Sequence, residues 1–227
     1  MREVESPYTA GTVGVVIGSL ARYRALFTSL EMLKVPKGTA LVYAEGADVQ
    51  QNCNTLVDGI TGEWLWIMGD DHRFKPDVLM NLLAHKVDMV APMVCKRGPT
   101  FKPVCYRVAD VGNPHNELYT WETLQKDFPN GGLAQVDAVG SAGLLVKRQV
   151  FAATPKPWFE FTRYASEDIN FCLSARKSGF KVHIDLDQTM THITPVDLEP
   201  FRRPSGQWII TASIGDRRVP FVESNIP

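Results

Sequence analysis

Residues 64–76 read WLWIMGDDHRFKP. Five apolar residues run without interruption into Gly69 and then into Asp70, Asp71 and His72, three groups that bind a cation or a proton. An unbroken apolar run of this length reads as a buried strand. Two adjacent carboxylates at its end repel each other and cost stability unless something positive sits against them. The segments on either side say what kind of sheet that strand belongs to.

Upstream, TVGVVIGS (12–19) reads as a buried strand, and LARYRALFTSLEMLK (20–34) places Leu20, Tyr23, Leu26, Phe27, Leu30 and Leu33 at helical spacing. TALVYAEG (39–46) is a second strand, and DVQQNCNTLVDGIT (48–61) a helix closed near Gly59 or Gly62. EWLWIM (63–68) is the third strand, KPDVLMNLLAHK (75–86) a helix with Pro76 near its start, and DMVAPMV (88–94) a fourth strand. Strand and helix in strict succession imply right-handed crossovers and an α/β fold with a mostly parallel sheet flanked by helices. In such sheets ligands bind beyond the carboxyl ends of the strands, and Asp70 and Asp71 stand at one of those ends.

The second half is less regular. Residues 95–132 are rich in turn formers and read as loops and short strands over the sheet. AQVDAVGSAGLLVKRQVF (134–151) returns to strand, broken by Gly140 and Gly143, where close backbone approach is expected. SEDINFCLSARKSGF (166–180) is a short helix with Ser166 as N-cap and Gly179 just past its end, and KVHIDL (181–186) alternates like a strand. The expected organisation is one domain over residues 1–195 and a tail or lid over 196–227, where prolines and the pairs Arg202-Arg203 and Arg217-Arg218 gather.

Composition narrows the function classes. The chain has 227 residues, enough for one sizeable core, and its 24 basic and 25 acidic residues nearly cancel. A nucleic-acid contact would therefore be local, not a basic face. The four cysteines lack paired metal spacing and MREVESPYTA carries no apolar signal core, so a cytoplasmic protein with free thiols is expected. No stretch approaches the ~20 apolar residues that span a bilayer.

Four groups carry chemistry. Asp70, Asp71 and His72 form a candidate divalent-metal site, since carboxylate oxygens suit Mg²⁺ or Mn²⁺ and a histidine tilts the choice to Mn²⁺. Glu167 and Asp168 follow the aromatic, proline-rich approach TPKPWFEFTRYA (154–165), which reads as a substrate wall; acidic residues in a first turn also simply complement the helix dipole. His192, just after the last clear strand, is a candidate ligand in combination with these groups. Ser19, Arg22, Glu45 and Asn54 stand at or near strand ends, where a nucleotide's base, ribose and phosphates are held. No Walker loop and no GxGxxG is present, which argues against a P-loop NTPase or a dinucleotide enzyme.

Taken in order over residues 12–195, EWLWIMGDDHRFKPDVLMNLL, DMVAPMVCKRGPTFKPVCY, VDAVGSAGLLVKRQVF…PWF and SEDINFCLSARKSGFKVHIDL…TH resemble the GT-A nucleotide-sugar glycosyltransferases, in particular small family-2-like members of bacteria and phages. The resemblance implies a Rossmann-like GT-A domain and an Asp-x-Asp motif whose metal bridges the donor diphosphate. Aligned on FKPD, Gly69 takes the first motif position, Asp70 the middle and Asp71 the last, with His72 following, so either Asp70 with Asp71 or Asp71 with His72 contacts the ion. The family's Glu-Asp motif falls on Glu167 and Asp168, Asp168 being the general base of an inverting transfer, and a late histidine of the metal shell falls on His192. Arg163 or the Arg202-Arg203 pair would close over the diphosphate of a UDP-sugar donor. The Gln-x-x-Arg-Trp motif of processive synthases is absent, which implies single-sugar transfer. The implied partners are a nucleotide-sugar and an acceptor hydroxyl: a hydroxymethylated DNA base in a phage, acting in the host cytoplasm, or a saccharide, lipid or protein. A nucleotidyltransferase and a non-catalytic module that binds carbohydrate or a partner are the competing readings.

Overall fold

Trp64, Leu65, Trp66, Ile67 and Met68 are each at most 2% exposed, and a strand so covered needs neighbours on both sides and packing on both faces. The computed structural model describes residues 1–18, 24–97, 101–108, 116–206, 208–214 and 217–221. Its first half runs β1 (Arg2–Val4), β2 (Thr12–Val16), α1 (Arg24–Met32), β3 (Lys34–Pro36), β4 (Ala40–Ala44), α2 (Val49–Asp58), β5 (Trp64–Gly69), β6 (His72–Phe74), α3 (Val78–Ala84) and β7 (Met89–Met93). There follow β8 (Cys105–Val108), β9 (Glu117–Leu118), α4 (Trp121–Asp127), β10 (Leu133–Val136), β11 (Ala138–Val139), β12 (Leu144–Lys147), α5 (Arg148–Ala153), α6 (Glu167–Lys177) and β13 (Val182–His192). The last elements are β14 (Asp197–Arg202), β15 (Trp208–Ile214) and β16 (Arg217–Phe221).

The central sheet has the order β10-β13-β7-β12-β5-β2-β4, with β6 pairing the far end of β13. Strands β4, β2 and β5 are parallel, as are β7 and β13, while β12 lies antiparallel between β5 and β7. Two reversals restore direction, so β7 and β13 run the same way as β5 and the sheet is mostly parallel. The register Leu144↔Ile67 and Lys147↔Trp64 means that β12 begins at the carboxyl edge of β5. The preceding loop, Gly140 to Gly143, is thereby delivered to the ligand edge. Gly143 fits there with φ +79°, where a Cβ would lie 2.5 Å from Met190 Sδ, and its carbonyl accepts Trp66 Nε1 at 2.7 Å.

Side-chain alternation along β5 divides the core between the two faces. Leu65 and Ile67 join Cys53, Leu56, Phe151, Phe159 and Phe171 on one side. Trp64, Trp66 and Met68 join Val13, Val15, Leu26, Leu79 and Leu82 on the other. All four cysteines are free thiols, three of them buried.

Two expectations need correction. Residues 95–132 contain a helix, α4, whose Thr120 accepts from Thr123 N at 3.1 Å while Thr123 Oγ1 accepts from Thr120 N at 2.9 Å. The strand expected at 181–186 continues to His192 through a register shift between Asp185 and Thr189, where Asp185 Oδ1 accepts from Asp187 N and Gln188 N. Residues 196–227, expected as a tail or lid, also hold a three-stranded antiparallel sheet, β14-β15-β16, among their described residues. Among the described residues no helix is long and apolar enough to cross a membrane.

Candidate metal and transfer site

Beyond Gly69 the chain turns through Asp70 and Asp71 and returns as β6, which pairs antiparallel with the end of β13 so that His72 stands opposite His192. Cross-strand partners share a face, and the two imidazoles stack with centroids 4.5 Å apart and planes 23° apart. Ile193 N donates to Asp71 O at 2.8 Å and fixes the turn against the strand. The Asp71 carboxylate then reaches both rings, Oδ1 3.0 Å from His72 Nδ1 and Oδ2 3.1 Å from His192 Nε2. Arg97 Nη1 reaches Oδ2 at 3.0 Å. Burial pushes the Asp71 carboxyl up, but the bonds from His192 and His72 outweigh it and hold the group well below the usual carboxylate range.

Proton bookkeeping on the rings points to a cation. His192 Nδ1 is 3.0 Å from Cys95 O, an atom that only accepts, so Nδ1 carries hydrogen and Nε2 is the ring atom left to face Asp71 Oδ2 at 3.1 Å. His72 Nδ1 faces two acceptors, Gly69 O at 3.2 Å and Asp71 Oδ1 at 3.0 Å, and therefore also carries its proton. That leaves His72 Nε2 buried with no hydrogen-bond partner. A metal ion would give that nitrogen a partner, and Asp71, His72 and His192 offer ligand atoms within 4.8 Å of one another. Gly69 makes room for this group: a Cβ there would lie 2.9 Å from Asp71 Oδ1 and 3.4 Å from the His72 ring. The carboxylate missing from the first motif position is one that this site could not accommodate unchanged.

Asp70 turns the other way. It is 7% exposed and its Oδ2 accepts from Gly18 N at 3.0 Å, tying the end of β2 to the turn. The structure groups Asp71, not Asp70, with the two histidines.

Asp168 reaches the same edge from the first turn of α6. Its Oδ2 accepts from Ser141 N at 3.1 Å, in the loop that β12 brings to the carboxyl end of β5, and its Oδ1 accepts from Ile169 N at 2.8 Å and from Ser166 Oγ. Ser166 holds the N-cap position, yet its hydroxyl serves Asp168 and makes no cap bond. Glu167 is 6% exposed, and burial together with the Asp168 charge pushes its carboxyl up to about 7. The two neighbours thus differ in kind, Glu167 sheltered and Asp168 held at the loop.

The remaining candidates are dispersed. Asn54 gives its amide to the Phe159 backbone, accepting from N at 3.1 Å and donating to O at 2.8 Å, so it braces the aromatic segment against α2. Glu45 is exposed just past β4, and Arg163 is exposed with its guanidinium 5.4 Å from the Tyr164 ring centroid. Arg202 Nε donates to Gly206 O at 3.3 Å within the C-terminal sheet. Ser19 and Arg22 lie outside the described residues. Sequence reasoning missed Arg97, Ser141 and the Cys95 carbonyl. For Arg97 a signal existed, a cation four residues past a strand end at the ligand edge.

No family model and no curated protein matches the sequence. Solved structures do. Protein A197 from STIV superposes with a TM-score of 0.55 at 12% identity, covering 87% of this chain and 92% of that one. The chain has the GT-A fold. A crystal structure of GalNAc-T7 with UDP, GalNAc and Mn²⁺ superposes with a TM-score of 0.53 at 9% identity, over 83% of this chain and 44% of that longer one. The GT-A sheet thus accounts for where the Asp71, His72 and His192 group lies, at the carboxyl edge of β5 and the end of β13.

Proposed function

We propose that the chain is a metal-dependent glycosyltransferase that moves a single sugar from a nucleoside diphosphate-sugar, with UDP-sugar as the working donor, to an acceptor hydroxyl with inversion. The observation that carries this reading is the Asp71, His72 and His192 group, with its orphaned buried Nε2, at the ligand edge of a GT-A sheet. These three residues hold Mn²⁺ or Mg²⁺, whose charge offsets the charge that develops on the departing diphosphate. Asp168, aimed by Ser141 N, Ile169 N and Ser166 Oγ, takes the proton from the acceptor hydroxyl as its oxygen attacks the anomeric carbon. Glu167, protonated up to about pH 7, spares Asp168 a second buried anion beside it. Ser19, Arg22 and Glu45 are proposed donor contacts, and Arg163 or the Arg202-Arg203 pair would close over the donor diphosphate. The acceptor classes are a hydroxymethylated DNA base, a saccharide, a lipid or a protein.

One observation favours a second reading. Arg97 already neutralises Asp71, as it would in a GT-A module that binds without turnover. Thermal unfolding with UDP separates the two. UDP with Mn²⁺ at a hundredfold over its dissociation constant should add about 2.7 kcal/mol, and UDP with a chelator much less. Equal shifts with and without metal sink the bridging-ion reading. Release of UDP from a UDP-sugar in the presence of Mn²⁺ identifies a transferase, release of pyrophosphate a nucleotidyltransferase, and no release a binding module. Mass spectrometry of acceptor pools then reads the acceptor.

A further inference from the structure

We infer that Arg97 is an exchangeable counter-charge: it gives up Asp71 to the divalent ion and then holds the diphosphate that the ion carries. The inference rests on the metal-dependent reading above and assigns a residue that reading does not use. Arg97 Nη1 and His192 Nε2 approach the same oxygen, Asp71 Oδ2, at 3.0 and 3.1 Å. An ion on that oxygen would stand beside a guanidinium, and two cations at such a distance repel. Arg97 and the ion are therefore alternatives on Asp71.

Burial and backbone say which of them moves. The Arg97 side chain is 54% exposed while the Asp71 side chain is 13% exposed, so the arginine enters from solvent onto a fixed carboxylate. A pair with one partner so exposed is held weakly. The backbone beneath it is fixed: Val104 N donates to Val94 O at 2.9 Å, Lys96 N to Lys102 O at 2.8 Å, and Cys95 forms a bridge with Pro103. Displacement swings the side chain about a stationary base beside the metal group. Among the described residues no other lysine or arginine pairs with Asp71. A diphosphate carried by an ion on Asp71 would come within reach of the Arg97 guanidinium, whose planar fork matches two phosphate oxygens.

The test uses the full chain, Arg97→Ala and Arg97→Gln, with Mn²⁺ alone and then UDP as probes. Electron paramagnetic resonance counts free Mn²⁺, and calorimetry at saturating Mn²⁺ reads UDP. Removing the competing charge should tighten Mn²⁺ alone by about 3- to 10-fold and weaken UDP by about 10- to 100-fold, opposite changes that a structural salt bridge would not produce. Unchanged or weaker Mn²⁺ binding in both variants overturns the exchange, and unchanged UDP binding overturns the diphosphate contact. Absence of Mn²⁺ binding in wild type and variants alike overturns the metal reading itself, and the inference with it.

Discussion

Glu167→Gln should make the chain more stable at alkaline pH and no more stable at acid pH. Burial and the neighbouring Asp168 charge raise the Glu167 carboxyl from 4.5 to about 7, while backbone N–H groups at the start of α6 pull it down and lose. A raised acid binds its proton more tightly folded than unfolded. The stability it contributes is full below its unfolded value and falls as pH rises from about 4.5 through about 7. At 1.36 kcal/mol for each pH unit, the loss is about 3 kcal/mol.

Glutamine copies the protonated form and does not titrate. The variant should match the wild type within about 1 kcal/mol at pH 5 and exceed it by about 3 kcal/mol at pH 8, roughly 6–12 °C in melting temperature for a chain of this size. Urea unfolding of both proteins at pH 5, 6, 7 and 8 measures this. Histidines also titrate across that range, but they do so in both proteins and cancel in the difference. A difference that stays flat from pH 5 to 8 would show that Glu167 ionises like an exposed carboxylate, and the sheltering role given to it would fall.

Gly69→Ala places a methyl 2.9 Å from Asp71 Oδ1 and should cost about 1–3 kcal/mol while weakening Mn²⁺ binding, a pair of effects that calorimetry and metal titration check together. Asp168→Asn keeps the shape at Ser141 but cannot take a proton, so single-turnover transfer should fall by about 10² to 10⁴ while UDP affinity holds; near wild-type transfer rules out the base assignment. Asn54→Ala leaves the Phe159 backbone unpaired and should cost about 1–3 kcal/mol with UDP affinity unchanged, whereas a loss of UDP binding would return Asn54 to the donor site.

What was legible in the sequence followed from short-range pattern. The apolar run of β5 announced a covered strand, because burial on both faces leaves no other composition. What was not legible depended on long-range register. Nothing local states that β12 runs backwards between β5 and β7, yet that reversal brings Ser141 to Asp168. The irregularity between Asp185 and Thr189 breaks the alternation of β13, so a strand that reaches His192 ends, to the eye, at residue 186. The C-terminal sheet was hidden by Pro200, which interrupts a strand pattern but is tolerated because β14 is an edge strand. Helix α4 spans only Trp121–Asp127, too few residues for helical periodicity to accumulate.

The replacement of a carboxylate by imidazole at this edge has an electrostatic consequence. Two carboxylates would cancel the charge of a divalent ion. One carboxylate, Asp71, with the imidazoles of His72 and His192 as ligands would leave a bound divalent ion with net positive charge. Such an ion is bound less firmly by the protein alone and pulls harder on a diphosphate, and its nitrogen ligands favour Mn²⁺ over Mg²⁺. Under the proposed function, metal and nucleotide would then assemble in the site as partners, each raising the other's affinity by the same factor. Arg97 fits the same scheme, because its guanidinium lies 3.0 Å from the Asp71 oxygen that an ion would occupy. The bare Gly69, the paired histidines and the half-exposed arginine thus meet at one carboxylate just past the end of β5, where an ion and Arg97 would compete for the same oxygen.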